Sequence, residues 1–189
     1  MQIRWFAVRY STLVQTPEIP NPEPLMKRIG LLSDTHSHLD ESIFQYFEEC
    51  DEIWHAGDIG SQEVVDKLQA FRPLRAVYGN IDDQPMRQQF PEDLRFDCEG
   101  VDVFMTHIGG YPGRYNQRVR AIIQQNPPRL FICGHSHILK VMPDKKYGLL
   151  HINPGAAGQQ GFHQVKTIVR FTLEEGNIKD LQVVELGAR

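Results

Sequence analysis

The chain has 189 residues, 41% of them hydrophobic and 23% charged, with a formal net charge of −4. That is the make-up of a single globular domain with one substantial core, and the negative balance argues against a general nucleic-acid binder, because phosphate backbones reward positive surfaces, while leaving room for a local basic patch. No run nears the ~18 consecutive apolar residues of a membrane span, and Arg4 and Arg9 interrupt the early apolar stretch that a secretory signal would need.

Residues 1–25 differ from the rest. Pro17, Pro20, Pro22 and Pro24 favour an extended, unpaired segment. The stretch therefore reads as a mobile, Pro-rich N-terminal extension and Met26 as a natural start; a short ordered arm is the other reading. Residues 26–189 read as one domain. Arg28–Ser33 is a buried strand by its apolar run. Asp40–Cys50 puts Ile43, Phe44, Phe47 and Cys50 on one helical face. Glu52–His55 is a short strand, Ser61 caps a helix through Leu68 with Val64, Val65 and Leu68 inward, and Leu74–Tyr78 is a third strand. This βαβαβ order predicts a parallel sheet with right-handed crossovers, whose ligands bind beyond the carboxyl ends of the strands.

The second half changes character. Leu94–Cys98 and Val101–Thr106 flank a Glu99-Gly100 turn as a hairpin. Arg114–Gln125 carries Val119, Ile122 and Ile123 at helical spacing until Pro127-Pro128 stops it. Leu130–Cys133 is a strand, and Ile138–Met142, Leu149–Ile152, Val165–Thr172 and Ile178–Glu185 predict antiparallel strands joined by turns. The expected fold class is α/β, a layered α-β-β-α sandwich of two sheets flanked by helices. Trp54 and Phe104 belong to its core. Cys50, Cys98 and Cys133 are too scattered for a disulfide framework or a zinc knuckle, so a reducing compartment, the cytoplasm, is expected.

Polar clusters follow strand after strand: Asp34-Thr35-His36-Ser37-His38, Gly57-Asp58, Gly79-Asn80-Ile81-Asp82, Thr106-His107 and Gly134-His135-Ser136-His137. One histidine after a strand is ordinarily a satisfied loop residue. Several clusters at the edge where a parallel sheet places its ligand point to a site. Carboxylate, imidazole and amide donors suit Mn²⁺, Fe²⁺ and Zn²⁺. In an extended loop, Asp34 and His36 project to one side, as do His135 and His137. Gly57, Gly79 and Gly134 let backbone pass close to a crowded centre.

The ordered series Asp-x-His, Gly-Asp, Gly-Asn-x-Asp, Thr-His and Gly-His-x-His resembles the calcineurin-like metallophosphoesterase superfamily. His55-Ala56-Gly57-Asp58 and Asn153-Pro154-Gly155 look most like its small branch of YfcE-type phosphodiesterases. The resemblance covers residues 28 to about 185. It implies two divalent ions, Mn most readily, with Fe, Zn, Ni or Mg as alternatives. Asp34, His36 and His137 would hold one and Asn80, His107 and His135 the other, with Asp58 bridging. Two such ions, two carboxylates and a hydroxide leave a net charge of about +1, which favours an anionic phosphate. The implied reaction is hydrolysis of phosphate esters, diesters foremost. The implied partner is a small phosphorylated substrate, with no membrane, no stable nucleic-acid binding, and homo-oligomerisation left open.

Several positions depart from that pattern. Many members carry a proton-donating His where this chain has Ile81, and an alkyl group does no acid–base work. Asp82 is expected in the catalytic set with Asp58 and Asn80, orienting Asn80 or a histidine. After Thr106-His107 the loop Ile108–Tyr115 offers Arg114 as a phosphate contact; a row of solvated arginines is the alternative. His38 is either a spare proton donor at the substrate or a surface histidine. His151 and His163 flank Asn153-Pro154-Gly155, a stretch expected to support the site. The resemblance extends to a non-catalytic scaffold of the same fold in protein assembly, which is the rival reading, and to nucleases, against which the net charge speaks.

Overall fold

The computed structural model describes residues 26–189; the Pro-rich stretch 1–25 lies outside the described residues. In chain order the elements are β1 (Met26–Leu32), α1 (Ser42–Tyr46), β2 (Glu52–His55), α2 (Gln62–Phe71), β3 (Leu74–Ala76), α3 (Gln84–Gln89), β4 (Asp93–Cys98), β5 (Val101–Thr106), β6 (Gly110–Tyr111), β7 (Arg114–Tyr115), α4 (Gln117–Gln125), β8 (Leu130–Ile132), β9 (Lys140–Asp144), β10 (Leu149–Asn153), β11 (Val165–Glu174) and β12 (Asn177–Ala188).

Successive side chains of a strand face opposite ways, and here both ways are apolar. In β1, Ile29 and Leu31 enter one core and Leu32 another; in β5, Val103 and Met105 face away from Phe104. A strand buried on both faces needs a layer on each side, and four layers result. One sheet runs β12-β11-β1-β2-β3, the other β4-β5-β8-β10-β9. The central core lies between them, from Ile29, Leu31, Trp54 and Val77 on one side to Val103, Met105, Leu130 and Ile132 on the other. Trp54 stands edge-on to Phe96 and Phe171 there, at 5.0 and 5.7 Å between ring centres. The first sheet's outer face carries Ile43 and Phe47, Val64, Val65 and Leu68 of α2, and Met86 of α3. Val119 and Ile123 of α4 cover the second sheet with Phe131 and Leu149.

In the first sheet β1, β2 and β3 are parallel, and β11 and β12 extend it antiparallel. In the second, β5, β8 and β10 are parallel between the antiparallel edges β4 and β9. Glu99-Gly100 and Glu175-Gly176 both turn with positive φ at each residue, the tight hairpin turn that matches strand twist.

The four late strands are thus two hairpins in different sheets. β10 pairs with β8, and residues 154–164 carry the chain across to β11. Other expectations also shift. The helix expected over 40–50 is regular only over α1, although Ile43, Phe47 and Cys50 are buried as its spacing required. Ser61 has the extended N-cap backbone, but its side chain makes no capping bond, and the helix runs on to Phe71. Helix α4 begins after Asn116, which accepts the Arg118 N–H; Arg114 lies instead in the small hairpin β6–β7. Helix α3 was not anticipated, although Asp83 caps it on the Met86 N–H and a proline stands in its first turn. All three cysteines are buried and free.

Candidate metal centre

Two parallel triplets, one in each sheet, deliver their carboxyl-end loops to a common edge. The loops after β1 and β2 extend the ladder beyond the strands: Asp34, His36 and Ser37 donate backbone N–H groups to the carbonyls of Gly57, Asp58 and Ile59 at 2.9–3.0 Å. Ser33 Oγ donates to the Ala56 carbonyl. Across the gap between sheets, the His135 N–H lies 3.2 Å from both Asp34 carboxylate oxygens. The expectation of extended loops is overturned. Asp34, His36, Asp58, His135 and His137 all have positive φ, from 47 to 69°, so left-handed turns aim their side chains inward. Each costs on the order of 1 kcal/mol for a residue with a Cβ, and such residues concentrate at functional sites.

Asp34, His36, Asp58 and His137 form one ligand group, and Asp58, His107 and His135 a second. Asp58 belongs to both. His36 Nε2 stands 3.2 Å from His137 Nε2 and 3.6 Å from Asp58 Oδ2. His137 Nε2 is 3.3 Å from Asp34 Oδ1, and His107 Nε2 is 3.2 Å from Asp58 Oδ1. Two donors 2.1 Å from one ion at tetrahedral or octahedral angles stand about 3.0–3.4 Å apart. The observed spacings therefore leave room for a divalent cation within each group, and one Asp58 oxygen faces each.

His107 adds a second argument. Its Nδ1 donates to the Ala56 carbonyl at 2.8 Å, which fixes the tautomer as second-sphere bonds do for metal ligands. Among the described residues its buried Nε2 has no hydrogen bond of good geometry and stands between the Asp34 and Asp58 carboxylates. Burial disfavours a charged ring there, yet the two carboxylates outweigh it and raise the His107 pKa above the ordinary imidazole value. Asp34 does the same for His137 through a direct hydrogen bond. Burial lowers the His36 pKa. Both raised values have the same cause: the buried Asp34 and Asp58 carboxylates favour positive charge beside them.

Close approach explains two glycines. A Cβ on Gly79 would lie 2.0 Å from Asp58 Oδ1 and 2.3 Å from its backbone nitrogen; one on Gly134 would lie 2.0 Å from Ser33 Oγ and 3.0 Å from Asp34 Oδ2. The loop after β3 therefore touches Asp58 directly, and the Ile81 N–H donates to Asp58 Oδ1 at 3.1 Å.

The remaining expected residues are placed as follows. Asn80 lines a cleft of about 280 Å³ with Tyr78, Arg87, His107 and Ile108, beside the second group. Arg87 holds that turn by donating to the carbonyls of Asp82 and Asn80. The Asp82 carboxylate accepts the N–H groups of Ile59, Gly60 and Gly79 at 3.2, 2.8 and 2.7 Å, clamping the loop that follows Asp58 to the turn that carries Asn80. Arg114 is exposed on β7. Arg118 is engaged by Asp93, Glu92 and the Thr106 hydroxyl. His38 is half-buried past the Thr35–Ser37 turn and belongs to neither ligand group.

Asn153 supports the site as expected: its Nδ2 donates to the Gly134 carbonyl and Ser136 Oγ at 2.8 and 3.1 Å, bracing the loop between His135 and His137. The His163 ring lies 5.4 Å from that of His137 and its Nε2 donates to the Gly158 carbonyl. One brace was missed. Buried His55 accepts the Gly57 N–H on Nδ1 and donates through Nε2 to Thr35 Oγ1, which donates in turn to the Ile59 carbonyl. The hydroxyls interleaved with acid and imidazole in Ser33-Asp34-Thr35-His36 were the available signal.

Comparison with known proteins agrees with this geometry. A probable metallophosphoesterase of Methanothermobacter thermautotrophicus is 29% identical over 135 residues, 68% of this chain and 76% of its own length. One of Methanocaldococcus jannaschii is 29% identical over 134 residues, 68% of this chain and 67% of its own. Among solved structures, an archaeal phosphodiesterase superposes with a TM-score of 0.66 at 21% identity, covering 84% of this chain and 99% of that one. Vacuolar Protein Sorting 29 from Cryptosporidium parvum does so at 0.65 and 17%, over 86% and 99%. The Calcineurin-like phosphoesterase superfamily domain matches residues 26–176, and the chain belongs to that superfamily.

Proposed function

We propose that the protein hydrolyses phosphodiesters at a dinuclear metal centre in the cytoplasm. The observation that carries this reading is the pair of ligand groups sharing Asp58. We assign Asp34, His36 and His137 to one ion and Asn80, His107 and His135 to the other. Divalent ions bound there, Mn²⁺ foremost, would polarise the phosphate and make water acidic enough to ionise near neutral pH. The chain's part is positional. The Ile81 N–H fixes Asp58, the His135 N–H fixes Asp34, and the Ala56 carbonyl fixes the His107 ring. Ile81, whose N–H reaches Asp58, has an alkyl side chain that is 44% exposed and offers no proton. That favours esters with good leaving groups over alkyl monoesters.

A scaffold reading has one observation behind it: Ile108 and Ile138, in clefts beside the ligand groups, and Phe162, near His137, are exposed large apolar residues, as at a protein-binding face. Ordered retention of the whole ligand set favours the enzyme. The test is chelated protein assayed with and without Mn²⁺ against an activated aryl diester. Mn²⁺-dependent cleavage, lost in Asp58→Asn, supports the hydrolase. No cleavage with Mn²⁺, Mg²⁺, Zn²⁺, Ni²⁺ or Fe²⁺ would leave the scaffold standing.

A further inference from the structure

We infer that the pocket beside His135 binds a six-membered ring of the ester substrate, one carrying acceptor oxygens as a pyrimidinedione does; the inference rests on the hydrolase reading. The pocket measures about 160 Å³ and is walled by Gly109, Tyr111, His135, Ile138, Lys140 and His151. Its walls are mostly apolar, and a cavity of about 150 Å³ accommodates benzene. His135 stands in both the second ligand group and the pocket wall. A phosphate at the centre and a ring in the pocket would therefore be neighbours.

His151 is the feature that points to a ligand. It lies on β10 two residues from Leu149, on the sheet face where Leu149 and Phe131 join the apolar cluster under α4. An aliphatic residue would serve packing alone. His151 is instead fully buried, and among the described residues neither ring nitrogen has a hydrogen-bond partner. Buried polar groups are almost always paired, and here the adjoining space is the pocket. Burial also keeps the imidazole neutral, its pKa pushed down to about 4, so it offers one N–H and one lone pair. Lys140 supplies a second donor. Its Nζ sits 3.7 Å over the Tyr111 ring, a cation held at the pocket wall by the aromatic face. Two donors above apolar walls select a flat ring with acceptor oxygens over a plain phenyl group, and the volume selects one ring over two.

The test is a titration of the full chain, loaded with diamagnetic Mg²⁺, with uracil, phenol and adenine, following the imidazole nitrogen resonances of His151. Uracil should shift them saturably, phenol more weakly and adenine least. His151→Phe keeps the ring volume and removes the nitrogens; it should weaken uracil about fivefold, the cost of one neutral hydrogen bond. Because that site is buried, Ile138→Trp is the companion variant: Ile138 is 62% exposed, and the larger side chain should block the pocket while leaving the melting curve unchanged. His151 resonances indifferent to every ring, or uracil affinity unchanged in both variants, would mean a pocket holding only water and would overturn the proposal. The titration needs no turnover, so the two readings fail separately. Diester hydrolysis without ring binding removes the pocket assignment alone. Ring binding in a protein that cleaves no ester removes the assignment of that ring to a substrate.

Discussion

Gly79→Ala is the sharpest test of the site's architecture, since it adds one methyl group and changes no ligand. The new Cβ would sit 2.0 Å from Asp58 Oδ1 and 2.3 Å from the Asp58 nitrogen, where ordinary contacts begin near 3.4 Å. A carboxylate alone could rotate away, but the backbone nitrogen has no such freedom. The loop after β3 must therefore retreat from Asp58 by about 1 Å, taking with it the Ile81 N–H that holds Asp58 Oδ1 and the Gly79 N–H that binds Asp82. A displacement of about 1 Å at a reacting centre costs on the order of 10²-fold in rate, and overpacking costs about 1–3 kcal/mol of stability. The assay is kcat on an activated diester with saturating Mn²⁺, beside a thermal melt. Gly148→Ala is the control: nothing lies within 4 Å of its Cβ, and φ of +68° gives a strain cost without touching the centre. It should lose stability and keep kcat. Wild-type kcat in Gly79→Ala would refute the claim that this close approach sets the position of Asp58.

Three further outcomes are expected. Ile81→His should raise the rate on alkyl monoesters by about 10²-fold, the worth of a positioned general acid, with a smaller gain on activated diesters; equal gains on both would remove the missing-acid argument. Metal affinity should be level at high pH and fall as pH drops through the raised pKa values of His107 and His137, because each proton must leave before a cation binds. The expected slope in calorimetry is about tenfold per pH unit per ring, and a flat profile between pH 8 and 5.5 would contradict it. Glu52 is buried, and although burial opposes its ionisation, Arg75 and Lys27 hold its pKa down at about 2. A depressed folded-state pKa stabilises above the ordinary value of 4.5 and is lost as pH falls through about 2. Glu52→Ala should cost about 2 kcal/mol at pH 7, discounted for the partial exposure of Lys27 and Arg75, and little at pH 2; equal denaturation midpoints at pH 7 would show that the pair contributes nothing.

The sequence disclosed the site better than the backbone that builds it. Apolar runs ending in acid or imidazole located Asp34, Asp58, His107 and His135, because a strand buried on both faces leaves its polar residues only at its end. Ile43, Phe47 and Cys50 identified the right buried face even though regular helix covers only α1, since burial follows spacing and not hydrogen bonding. Helix α3 went unread because it buries one residue, Met86, and six residues carry too little periodicity. The left-handed turns were invisible for another reason: aspartate and histidine adopt positive φ more often than other side chains but still in a small minority of cases, so their presence does not announce it as glycine does. Asp82 stood out as the acidic residue of the Gly-Asn-x-Asp motif; which groups it holds, the N–H groups of Ile59, Gly60 and Gly79, is visible only in the tertiary structure. The role of His151 depends on what Leu149, Phe131 and Tyr111 surround, which no local pattern encodes.

The left-handed backbone at Asp34, His36, Asp58, His135 and His137 sets the proposed metal centre against thermostability. Glycine is the residue that adopts such angles without steric penalty, so under the proposed ligand assignment the most relaxed backbone at each of these positions would belong to a protein short of a ligand. A library ranked by melting temperature alone would drift toward glycine there, and on that assignment its hardiest members would lose the centre. Any campaign to toughen this chain therefore has to screen for turnover in the same round, or hold these five positions fixed.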